Sequence, residues 1–90
     1  MNTSTIITEL KKHANFFEVY HKTTFECYRK DTSGNTQNVE VSILDAGPDE
    51  KPQLRYHCVA KSEDGKMATG NPHSSIDMAI RNVHWYDLDK

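Results

Sequence analysis

The chain predicts an α+β domain: an antiparallel sheet of three to four strands with N- and C-terminal helices packed on one face, in the order α-β-β-β-β-α. Three observations carry this. Three runs place apolar residues at every second position, and a short fourth run follows an Asp-Gly turn. Polar clusters around Gly34 and around Asp64-Gly65 separate neighbouring runs at hairpin distance. Both ends of the chain carry apolar residues at the i, i+3, i+4 spacing of a one-sided helix. Ninety residues make a single domain, 1–90, and at 36% apolar content its core is small.

In chain order, residues 1–4 are a polar leader expected to fray. Ile6, Ile7, Leu10, Ala14 and Phe17 then define a helix, capped by Thr3, Ser4 or Thr5 and expected to stop between Ala14 and Tyr20. In residues 22–30, Thr23, Phe25 and Cys27 alternate with Thr24, Glu26 and Tyr28, which reads as a strand. After the 31–35 turn, Val39, Val41 and Ile43 share one face of a second strand, opposite Asn38, Glu40 and Ser42. Residues 46–52, AGPDEKP, form the longest break in pattern and the expected mobile loop.

Residues 54–61 form a third strand. Leu54, Tyr56, Cys58 and Ala60 lie on its core face, and Arg55, His57, Val59 and Lys61 on its wet face. Residues 67–70 pair back, and Pro72 ends the ladder because it cannot donate to it. Ser74 is the expected cap of the last helix, with Asp77 as acidic partner and Ile76, Ala79, Ile80 and Val83 as the apolar stripe. Asp77 and Arg81 make a favourable i, i+4 pair, and Trp85, Tyr86 and Leu88 complete the packing.

Composition removes several classes of function. Net charge is -2 and the basic residues are scattered, without the stripe that a phosphate backbone requires. No run is long and apolar enough to span a membrane, and no export signal opens the chain, so a soluble cytoplasmic protein is expected. Two cysteines, Cys27 and Cys58, are too few for a disulfide framework, and both are expected to be small hydrophobes in the core.

Five histidines raise the question of a metal, but none is paired at ligand spacing with another histidine or a cysteine. His57 and Cys58 are adjacent on a strand, so they point to opposite faces. No Cys–His–acid arrangement and no nucleotide or calcium motif occurs, so neither a catalytic residue nor a cofactor is expected. What remains is a candidate partner surface of Trp85, Tyr86 and His84 together with Arg55 and His57. Trp, Tyr and Arg are the usual anchors of protein interfaces. An open sheet edge is a second candidate.

The run from Leu54 through the Asp-Gly turn to His73-Ser74-Ser75-Ile76-Asp77-Met78-Ala79 resembles the end of a double-stranded RNA-binding domain. That resemblance implies the helix–meander–helix fold. The family's phosphate-gripping lysines have no counterpart at these positions, which carry no lysine. Gly70, Ser74 or Ser75, Asp77, Ala79 and Asn82 are similar to the hairpin-to-helix pattern of HicB-type antitoxins, and the whole chain looks like small bacterial, in particular cyanobacterial, proteins. The sequence therefore leads to a non-catalytic binding or regulatory module acting on a protein partner or on a second copy of itself. Duplex RNA binding is the alternative that the resemblance implies, and a thiol- or metal-dependent enzyme is the remaining one.

Overall fold

A computed structural model describes residues 2–90 of the chain. Its elements are α1 (Thr3–Leu10), β1 (His21–Lys30), β2 (Thr36–Asp45), a 3-10 turn (Pro52–Leu54), β3 (Tyr56–Ser62), β4 (Met67–Thr69), α2 (Ile76–Arg81) and a second 3-10 turn (Trp85–Asp89). The four strands form one antiparallel sheet in sequential order, so α+β with an antiparallel sheet is the architecture.

Turn chemistry sets the register. Asp31 Oδ1 accepts the N–H groups of Ser33 and Asn35, each at 2.9 Å, and closes the β1–β2 turn. All ten residues of β1 then pair one-to-one with β2, from His21 opposite Asp45 to Lys30 opposite Thr36. At the β3–β4 turn Gly65 takes a φ of 91°, a left-handed conformation that a side chain disfavours. Ser62 fastens this turn, donating its N–H to Lys66 O at 2.8 Å and contacting Asp64 through its hydroxyl.

Alternation puts Val39, Ile43, Cys58, Ala60 and Ala68 on one face of the sheet, where Ala79, Val83 and Leu88 close over them. Small residues at Ala60, Ala68 and Ala79 let α2 lie close to β3. Gly70, just after β4, has no room for a Cβ: an added methyl would meet the Asn82 carbonyl oxygen and stand 2.7 Å from its carbon. The far end of this layer is tied down by polar contacts. Arg29 donates to Asp89 Oδ1 at 2.9 Å and to Gln37 Oε1 at 2.7 Å, and Gln37 donates to the Leu88 carbonyl at 3.3 Å.

The N-terminal helix departs from expectation. It was expected on the sheet face beside α2; instead its single buried residue is Ile7, whose Cδ1 lies 3.3 Å from where a Cβ on Gly47 would sit, at the end of the sheet. Met1 lies outside the described residues. Asn2, from the leader expected to fray, is the cap, its Oδ1 accepting the Thr5 N–H at 2.9 Å.

The helix ends at Leu10 rather than between Ala14 and Tyr20: Lys12 and His13 donate to Glu9 and Leu10, three residues back instead of four, and Ala14 and Asn15 then turn the chain away at φ of 50° and 61°. With only one residue packed, little tertiary contact supports a longer helix. Phe17, counted with its apolar face, is exposed, and so is its neighbour Phe16.

Three smaller differences follow from local chemistry. The α2 cap is Ser75, whose Oγ accepts the Met78 N–H at 3.4 Å, not Ser74. That helix stops at Arg81, and Trp85–Asp89 is a separate 3-10 turn. Leu54, expected on the core face of the third strand, is exposed in the 3-10 turn that precedes it.

Candidate functional site

A helix about 10 Å across covers roughly two strands spaced about 4.8 Å apart. Since α2 lies on β3 and α1 stands at the end of the sheet, the β1 side of the helix-bearing face is left bare. Every residue of β1 is exposed except Arg29, which is half-buried. Phe25 is 53% exposed although it lies on the same face as the core residues Val39 and Ile43.

The bare strip is a groove. Its floor is Thr23, Phe25 and Cys27 of β1 with Val41 and Ile43 of β2, and its wall is Ile76 and Ile80 of α2, enclosing about 430 Å³. It runs on through Cys27 and Val41 into a second section of about 370 Å³ bounded by Trp85, Tyr86, Leu88 and the Arg29–Asp89 pair. The α2 stripe read from the sequence is thus divided. Ala79 and Val83 are buried, while Ile76 and Ile80 are partly exposed and face the groove.

Cys27 corrects the expectation that both thiols are core: it is exposed on the groove floor, whereas Cys58 is buried. Burial pushes the Cys58 thiol above its ordinary value, the behaviour of a packing residue rather than a nucleophile.

The five residues expected at a partner surface do not form one site. Trp85 packs against the core and lines the groove, its indole N–H donating to the Ile80 carbonyl at 3.1 Å. Tyr86, 62% exposed, stacks on His84 with ring centroids 5.6 Å apart.

Arg55 lies at the entry to β3 rather than on a strand face. Its Nε donates to Asp45 Oδ1 at 2.9 Å, and its guanidinium sits 4.8 Å from the Tyr56 ring centroid. His57 occupies the opposite face of β3 from Cys58, and so the opposite face of the sheet from Trp85. Its Nε2 donates to the Gly70 carbonyl at 2.9 Å and lies 2.8 Å from Thr69 Oγ1, bridging β3 to the end of β4. Arg55 and His57 hold the fold at these places, apart from the aromatic pair.

The residues that reading by period missed are Phe25, Ile76 and Ile80; the open sheet edge, named from the sequence as a second candidate, is that of β1. An alternating strand looks the same whether or not something covers it. The available signal was a count: one short helix stripe cannot cover four strands. Among the described residues, no three His, Cys, Asp or Glu side chains are grouped to hold a metal ion, and no helix is long and apolar enough to cross a membrane. No family model, curated protein or solved structure matches this chain.

Proposed function

We propose that the chain is a non-catalytic protein-interaction module that works through the β1 side of its sheet. The observation that supports this reading is β1 itself: ten residues fully paired with β2, yet open to solvent on both faces. Apolar groups lie along the groove beside it, where isolated domains rarely leave a contiguous apolar surface without a partner. Trp85 and Tyr86 border the same groove and supply the residue types that anchor interfaces. The charged groups at its margin are engaged in holding the structure, as Arg29 is with Asp89, which favours binding over catalysis.

The test uses the wild-type chain and a Phe25→Asp variant as affinity baits. Phe25 is exposed, so the variant keeps its fold, checked by circular dichroism and unfolding midpoint. The wild type is expected to retain a partner, a different protein or further copies of itself, in near-stoichiometric amount, with recovery about ten-fold lower on the variant. Equal recovery on both baits, or none on either, overturns the reading.

A further inference from the structure

We propose that the open edge of β1 pairs antiparallel with β1 of a second copy about a two-fold axis at Thr24, joining two four-stranded sheets into one of eight strands. This rests on the interaction-module reading and names the partner.

The backbone has the phase this needs. Glu63 N–H donates to Asn38 O, and Ala46 N–H donates to Arg55 O, so the even-numbered residues of β2 bond toward β3. Its odd-numbered residues therefore bond toward β1, where their partners are odd-numbered as well. The N–H and C=O groups of Lys22, Thr24, Glu26 and Tyr28 are left pointing outward. The row carries no proline and the one-to-one register shows no bulge, so two of the devices that block an edge are missing; its charges, Lys22 and Glu26, are of opposite sign.

Charge and overlap together select among the registers. An axis at Tyr28 would also set Glu26 against Lys30, but Lys30 already donates to Thr36, and that axis pairs residues 26–30 only, against 21–27 for an axis at Thr24. An axis at Glu26 would set Glu26 against Glu26 and Lys22 against Lys30. An axis at Phe25 would set Lys22 against Tyr28 and Glu26 against Thr24. With the axis at Thr24, Lys22 of each copy stands opposite Glu26 of the other.

Glu26 is suited to that contact. Within the chain it lies opposite Glu40, whose neighbour on the far side is Lys61. Neither Lys22 nor Glu26 takes part in an ion pair among the described residues. A second copy completes the row as Lys22, Glu26, Glu40, Lys61. On the other face, Phe25 falls opposite Thr23 of the second copy and diagonal to its Phe25, within aromatic reach.

The experiment is analytical ultracentrifugation of the full chain from about 10 μM to about 1 mM, the range of weak to moderate association. The wild type is expected to dimerise. Lys22→Glu and Glu26→Lys, each turning two attractive contacts into like-charge ones, are each expected to weaken dimerisation about ten-fold. Mixing the two variants restores both contacts in a heterodimer, as does the double variant in a homodimer. Thr24→Cys in a Cys27→Ser background forms an intermolecular disulfide on oxidation, because the two Cα atoms face each other across the axis at about 5.5 Å.

A dimer indifferent to the reversals, or not rescued by mixing, overturns this pairing and leaves the module reading to the bait experiment. A chain that stays monomeric throughout the range also overturns it, and a non-self partner on the wild-type bait then assigns the edge to another protein's strand.

Discussion

Asp45, the last residue of β2, shows how one side chain sets both geometry and pH response. Its carboxylate accepts the Gly47 N–H at 2.8 Å and the Arg55 guanidinium at 2.9 Å, which bends the chain out of β2 and aims it into β3. The Arg55 hydrogen bond, foremost, holds the Asp45 carboxyl below its ordinary value, with the Gly47 N–H adding to it and partial burial opposing. The unfolded chain, where Asp titrates near about 3.9, therefore binds more protons than the folded one at acid pH. The stabilisation is complete above the unfolded value and is lost as pH falls through the folded one. In urea titrations at pH 6 and pH 3, the wild-type midpoint is expected to fall more than that of Asp45→Asn. The variant keeps a residual slope, because hydrogen bonds from Ser62 and Ser75 also lower Asp64 and Asp77. Gly70 acts through space rather than charge. Gly70→Ala drives a methyl into the Asn82 backbone, which cannot swing aside as a side chain could, so a loss of about 1–3 kcal/mol is expected in urea unfolding.

The two helices differ in what they support. α2 is part of the core through Ala79, whereas α1 touches the rest of the domain through Ile7 alone among its buried residues. Ile7→Ala is therefore expected to raise amide exchange across Thr3–Leu10 while leaving exchange in β2 and β3 unchanged; equal loss of protection in the sheet would show α1 to be part of the cooperative unit. The strands were legible in the sequence because Val39, Val41 and Ile43 alternate cleanly and because Asp31, Gly34 and Gly65 mark the turns. Placement of α1 was not. Ile6, Leu10 and Phe17 look like the apolar face of a helix that covers a sheet, yet each is exposed. Periodicity reports that a face could be buried, not what buries it. The same limit explains Cys27, which has the position of a core residue in its strand and lies on a bare floor.

At the scale of the whole molecule, the principal extents are 47 × 24 × 21 Å and the radius of gyration is 15.0 Å, against about 12 Å for a compact chain of this length. The excess reflects α1 standing beyond the end of the sheet and a long β1–β2 hairpin with no cover. Of the candidate site, Trp85 and Tyr86 were readable by residue type. The places of Arg55 and His57, named with them but bonded elsewhere, were not, because their partners Asp45 and Gly70 become neighbours only once β2, β3 and β4 are aligned. The opposite edge of the sheet sets a further property. β4 has three residues, and the chain after it is already bonded back, His73 N–H to Tyr56 O at 2.9 Å. That border offers almost no template for another strand. If β1 pairs with a second copy as proposed, this short far border leaves the pair nowhere to grow, so edge-to-edge joining of sheets ends at a closed pair instead of running on into a fibre.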